Sequence, residues 1–189
     1  IRSFVNELKG KLETFRTLNN NEIRKLNDIA QKYNIKYQNK HKLDLVDEIL
    51  SNVDVIPNSI VLAQAAIESG WGKSRFAKEY NALFGEYTYN DSEGVIPLER
   101  ENGDTHLIKA FSSYSNSVES YFDNINSHYA YEDFRDIRNI MRKRNNFSNV
   151  NLLVNKLSTY AEDENYIKTI RQVIKTNNFA IFDQKTISY

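Results

Sequence analysis

The sequence predicts a predominantly α-helical α+β protein, and three features carry that reading. Apolar residues recur at helical spacing up to Glu68 and again from Val118 onward. Between them, residues 84–111 are rich in Tyr, Thr, Val and Ile and are broken by Asn90-Asp91-Ser92-Glu93-Gly94 and by Asn102-Gly103-Asp104, the punctuation of a small antiparallel sheet of two or three strands. At 189 residues the chain is long enough for one well-buried domain with an appended helical segment, not for two independent cores.

Residues 3–17 put Phe4, Val5, Leu8, Leu12 and Phe15 along one side of an amphipathic helix. Asn19-Asn20-Asn21 is turn and cap material, followed by a second helix carrying Ile23, Leu26, Ile29 and Ala30 to about Tyr33. Leu43, Val46, Ile49 and Leu50 mark a third, which ends before a turn at Asp54 to Pro57. These helices are expected to form an N-terminal segment, residues 1–56, packed on a catalytic domain of residues 57–189.

The fourth helix should begin near Pro57-Asn58-Ser59, since Pro suits a first turn and Asn or Ser can accept a hydrogen bond from a free backbone N–H. Ile60, Val61, Leu62, Ala65 and Ala66 supply its buried side, and Gly70 terminates it in left-handed conformation, leaving Glu68 in the last turn. The negative end of the helix dipole disfavours the ionised form there. The adjacent Trp71 indole adds desolvation in the same direction. Both effects raise the carboxyl pKa, and an acid that keeps its proton near neutral pH is what general-acid cleavage of a glycosidic bond requires. Most glutamates are only solvated helix residues. Glu68 is distinguished by its neighbours.

Ser74 caps a short helix through Tyr80. In the β region Glu99 and Glu101, two apart, share a face if they lie in one strand; they read either as solvated surface or as an acid facing Glu68 across a groove. Glu86, directly after Leu83-Phe84-Gly85, is a third acidic candidate. The three histidines, His106 among them, show no ligand spacing, so no metal is expected. Helices return with Val118, Tyr121, Phe122 and Ile125 on one face, and Phe134, Ile137, Ile140 and Met141 on the next. Ser148 is expected to cap a further helix containing Leu152, Leu153, Val154 and Leu157. The basic run Met141-Arg142-Lys143-Arg144 suits a helix C-terminus or contact with ligand carboxylates. Asp163 is expected to cap a last helix over 166–175, with Phe179, Ile181 and Phe182 packing back as a tail.

Zero net charge argues against general affinity for nucleic acid or an anionic membrane, and the absence of cysteine excludes disulfides and thiolate metal sites. No run approaches the roughly 18 apolar residues of a membrane helix, and Ile1 in place of an initiator Met suggests a trimmed or mature form, which leaves prior removal of an export signal open. Twelve tyrosines suit grooves that stack on sugar faces while hydrogen-bonding hydroxyls.

The run AQAAIESGWGKS at 63–74, followed by NALFG at 81–85, resembles the catalytic signature of the glucosaminidase family, the family 73 glycoside hydrolases. The text from Gly94 to Arg138 looks most like the Bax-type branch, and LSTYAEDENYIKTI at 157–170 resembles the second signature. Together these matches cover roughly residues 57 to 175. The resemblance implies a lysozyme-like fold, a helical lobe and a small antiparallel β lobe with a groove between, and no cofactor. It also implies hydrolysis of the β-1,4 bond between N-acetylglucosamine and N-acetylmuramic acid in peptidoglycan glycan strands, in the bacterial cell envelope. On it Glu68 is the general acid, Glu99 or less favourably Glu101 the second carboxylate, Tyr160 the active-site tyrosine and Tyr166 a packing partner. Trp71, Phe84, Glu86, Tyr87, Glu101 and Tyr114 are expected to line the groove. Inverting, retaining and acetamido-assisted routes all remain open, as do a lytic transglycosylase and an inactive glycan-binding module.

Overall fold

The first three apolar stripes become helices α1 (Arg2–Glu13), α2 (Asn20–Lys32) and α3 (Lys42–Asn52). In the computed structural model, residues 1–97, 105–147, 149–161 and 163–185 are described. Among them the fold is α+β, predominantly α and lysozyme-like, with one three-stranded antiparallel sheet. The chain divides into two compact units: Ile1–Val55 with Asp123–Glu162, and Ile56–Phe122 with Asp163–Tyr189. Residues 1–55 therefore share their unit with later helices.

In the first unit Val5 and Leu8 of α1, Leu26 and Ala30 of α2, and Leu45, Val46 and Ile49 of α3 build one closed hydrophobic core. The start of α2 is fixed by a reciprocal capping box, in which the Asn19 side chain accepts from Glu22 N and the Glu22 carboxylate accepts from Asn19 N. Phe15 departs from its expected place: α1 ends at Glu13, and Phe15 follows at φ 57 with its ring 98% exposed.

The same unit contains α7 (Glu132–Lys143) and the short α8 (Asn151–Val154). The inner face of α7 is not the apolar one expected. Phe134, Arg135, Arg138 and Met141 are buried, whereas Ile140 is exposed. The reason is the C-terminus of α3, whose last carbonyls lack helical partners. Arg138 donates to Asn52 O at 2.6 Å, Asp54 O at 3.1 Å and Val55 O at 3.3 Å, and Arg2 donates to Leu50 O and Val53 O. Ser148, expected to cap α8, lies outside the described residues; among those described, Val150 holds the N-cap position without a side-chain cap.

The second unit is organised around α4 (Asn58–Glu68). Ser59, Ile60, Ala63, Gln64 and Ala66 form its buried side, while Leu62 is exposed, a correction to the expected face. Its first turn is capped from elsewhere: Ser59 N donates to Asp183 Oδ1 at 2.8 Å, and Asn58 Nδ2 to Phe182 O at 3.0 Å, both acceptors lying in a 3-10 turn at Phe179–Lys185. The tail does pack back, through this cap, with Ile181 and Phe182 about half exposed.

Helix α5 (Arg75–Tyr80) starts as expected, with Ser74 Oγ accepting from Ala77 N. Strands β1 (Tyr87–Thr88), β2 (Gly94–Val95) and β3 (Leu107–Lys109) follow, with β3 between the other two and Ile108 opposite both Tyr87 and Val95. Glycine is required at 94, where a Cβ would stand 2.5 Å from Leu107 Cβ and 2.7 Å from Thr88 Cγ2. Helix α6 (Tyr114–Ser127) begins in this unit, and α9 (Tyr166–Thr176) packs on α4. Asp163 takes part in the turn before α9 by accepting from Asn165 N, although Asn165 occupies the cap position.

Candidate active site

Glu68 is the last residue of α4, and the backbone beyond it passes three times through the left-handed region: Gly70 at φ 57, Trp71 at φ 59 and Gly72 at φ 72. Glycine enters that region freely, but a side-chain-bearing residue there costs about 1–2 kcal/mol. The turn is held by hydrogen bonds that close on themselves. Trp71 N donates to Ala66 O at 2.7 Å and Ser74 N to Ser69 O at 3.0 Å. The buried Ser69 hydroxyl donates to Ala65 O at 2.5 Å and accepts from Gly72 N at 2.8 Å. With the backbone so fixed, the Trp71 indole stands 55% exposed.

Behind Glu68 runs a directed chain of hydrogen bonds. The Tyr121 hydroxyl donates to Gln64 Oε1 at 2.5 Å, Gln64 Nε2 donates to the Tyr166 oxygen at 2.9 Å, and the Tyr166 hydroxyl donates to Glu68 Oε1 at 2.7 Å. Gln64 lies one turn before Glu68 on the same helix face, Tyr166 opens α9 and Tyr121 sits on α6. All three are buried, so the chain has little competition from water.

Burial pushes the Glu68 carboxyl above its ordinary pKa, and the bond from Tyr166, which favours the carboxylate, opposes that rise. Burial, reinforced by the neighbouring carboxylate, pushes the Tyr166 phenol far upward, which keeps it a donor. The shift at Glu68 has the expected direction, with desolvation as its largest cause, while Trp71 itself stands about half exposed.

The remaining expected residues fall in varied places. Phe84 is 3% exposed and stacks on Tyr121 with ring centroids 4.2 Å apart, so it offers no free face to a sugar and instead supports the buried chain. Glu86 accepts from Ser120 Oγ at 2.7 Å, and Lys109 Nζ donates to that hydroxyl at 3.2 Å. Tyr87 is 64% exposed and stacks on His106, and Tyr114 is exposed at the start of α6. Tyr160 is half-buried, with its ring 6.2 Å from that of Tyr131 in the first unit. Glu99 and Glu101 lie outside the described residues.

Tyr166, expected only to pack, is the tyrosine bonded to Glu68, and Gln64 and Tyr121 complete a network that the sequence reading passed over. One signal was available: a lone glutamine, four residues before Glu68, in an otherwise apolar run. Among the described residues no cluster of three or more His, Asp or Glu is placed to hold a metal, and no helix is long and apolar enough to cross a membrane.

Comparison with known proteins gives a consistent family. Residues 43–179 match the Glucosaminidase family model, described as mannosyl-glycoprotein endo-beta-N-acetylglucosaminidase. Protein bax of Escherichia coli K12 is 34% identical over 137 residues, which are 72% of this chain and 48% of that protein. Peptidoglycan hydrolase FlgJ of Escherichia coli O157:H7 is 35% identical over 92 residues, or 43% of this chain and 29% of that protein. The Salmonella typhimurium protein of the same name is 34% identical over 92 residues, with the same coverage. The chain thus spans half or less of the length of these relatives. With the family match extending over most of the chain and including α4, its left-handed turn and α9, this chain belongs to the glucosaminidase family.

Proposed function

We propose that this chain is a peptidoglycan hydrolase of the bacterial cell envelope, an endo-β-N-acetylglucosaminidase that cuts the β-1,4 bond between N-acetylglucosamine and N-acetylmuramic acid. The observation that carries the proposal is the Glu68 carboxyl: its pKa is raised by burial, and Tyr166 anchors one of its oxygens. Family membership, and the peptidoglycan hydrolases among the relatives, supply the substrate class.

In this reading Oε1 is occupied by the Tyr166 donor, and Oε2 carries the proton that passes to the departing glycosidic oxygen. Gln64 and Tyr121 hold Tyr166 so that its hydroxyl hydrogen points at Glu68. The oxocarbenium-like centre is quenched by water activated by Glu99 or Glu101, by covalent attack of that carboxylate followed by water, or by the substrate's own acetamido oxygen steadied by Tyr160. Trp71, Tyr87 and Tyr114 present exposed rings of the kind that stack on sugars, and Glu86 supplies a further polar contact.

Tyr166→Phe tests the proton assignment. Loss of the donor removes an interaction that favours ionised Glu68, so the alkaline limb of the kcat/KM profile on purified peptidoglycan moves to higher pH. Because one charge-assisted hydrogen bond is lost, kcat at the optimum falls roughly tenfold. A tenfold loss with the limb unmoved assigns Tyr166 to packing alone. Trp71→Ala raises KM by about tenfold, as expected for one stacked ring, with little change in kcat or thermal midpoint. An unchanged KM removes the indole from the glycan site.

A further inference from the structure

Helices α1, α3 and α7 of the first unit enclose a cavity of about 360 Å³. Four cations line it, Arg2, Lys9, Arg142 and Lys143, against one carboxylate, Asp47. The chain as a whole has zero net charge, so this is a local accumulation. It includes Arg142 and Lys143, the first two residues of the basic run that follows Met141.

Two of the lining cations, Arg2 and Arg142, also reach a buried carboxylate that does not line the cavity. The buried Asp54 carboxylate accepts from Arg142 Nε at 2.9 Å and Nη2 at 2.7 Å, and Arg2 Nη1 stands 3.3 Å from it. Arg138 is fully buried beside the same segment, bonded to the Asp54 main-chain oxygen. Three guanidinium groups therefore gather around one carboxylate. Burial pushes the Arg138 pKa down to about 9; Asp54 opposes the shift, while Arg135, Arg2 and Arg142 act with burial. At neutral pH Arg138 is still cationic, so the cluster holds more positive charge than Asp54 cancels. Of the two lysines, Lys9 pairs with Asp47 at 2.7 Å and with Glu13 at 3.8 Å, and Lys143 is exposed at the end of α7.

Neutral hydrogen-bonding groups complete the lining. Asn6 is present, and Asn139 Nδ2 donates to Ser51 Oγ at 3.2 Å. Guanidinium, ammonium and amide groups that line one small concavity, with four cations against the two carboxylates Asp47 and Asp54, suit the recognition of an oxyanion. We propose that this cavity is a binding site for a carboxylate or phosphate group. Three of its lining residues, Arg2, Asn6 and Lys9, come from α1, which precedes residues 43–179, and Glu68, Gln64, Tyr121 and Tyr166 are not among its lining residues.

The test is calorimetric titration of the full chain with inorganic phosphate, and separately with N-acetyl-D-alanine as a carboxylate probe, at constant ionic strength against a chloride background. One probe or both bind at a single site, and the stronger one identifies the source of the anion. Neutralising both lysines, Lys9→Gln with Lys143→Gln, weakens that binding by about tenfold through loss of two nearby charges. In parallel, the bound probe shifts the side-chain amide resonances of Asn6 and Asn139 in the unsubstituted protein, a readout that survives if the double variant folds poorly. Neither probe binding in preference to chloride overturns the proposal, as does binding that leaves those two amides unmoved. Hydrolysis of peptidoglycan by the double variant separates this outcome from any failure of Glu68.

Discussion

Glu68→Gln lowers release of soluble fragments from purified peptidoglycan by roughly a thousandfold, the scale of a general acid's contribution. The substitution keeps the shape of the side chain and an oxygen that accepts from Tyr166, so the Tyr121–Gln64–Tyr166 chain persists. What it removes is the transferable proton. The stability change has a definite sign. Glu68 has a folded-state pKa above its ordinary value of 4.5, so any stability it contributes is fully present below the unfolded pKa and is lost as pH rises through the folded one. Burial disfavours the ionised carboxylate, a cost that the amide avoids at any pH where Glu68 loses its proton, and the variant melts at the same temperature as the parent or above it. Fragment release and a thermal melt followed by circular dichroism check the two halves. Parental activity in a well-folded variant would end the assignment.

The second large effect is on stability. Arg138→Met removes the donor to Asn52 O, Asp54 O and Val55 O in the interior of the first unit. Methionine fills similar volume but donates nothing; Asp54 O keeps the Asn126 Nδ2 donor at 3.2 Å, whereas Asn52 O and Val55 O lose the Arg138 donor, and a buried acceptor left without one costs about 1–3 kcal/mol. Relief of repulsion with Arg2, Arg135 and Arg142 returns part of that. The net expectation is a loss of about 3 kcal/mol, read as a lower urea midpoint with an unchanged slope. A change under about 1 kcal/mol shows that these carbonyls are satisfied without Arg138.

These two sites mark where sequence reasoning reached and where it stopped. The end of α4 at Glu68 was legible because local chemistry determines it: an apolar run, then Gly70, with no long-range partner needed. Ser74 at the start of α5 was legible for the same reason. Arg138 was not. Its burial follows from the unpaired carbonyls of α3, more than eighty residues earlier in the chain, and on the α7 helix it reads as a surface cation. The cap on α4 was likewise invisible, because Asp183 supplies it across 124 residues. Tyr166 shows the same limit at the site itself. The spacing of Tyr160 and Tyr166 distinguishes neither, and only the packing of α9 on α4 brings the Tyr166 hydroxyl to Glu68. Phe84 was misplaced through its residue type: an aromatic ring beside a glycine suits a sugar wall as well as it suits the support beneath one.

The most direct test of the central claim is mass spectrometry of borohydride-reduced fragments from purified peptidoglycan digested with the unsubstituted chain. A proton from Glu68 followed by addition of water leaves hydrated fragments with reduced N-acetylglucosamine at the new end. Anhydro fragments lighter by one water, a reduced N-acetylmuramic acid end, or no fragments at all would contradict it.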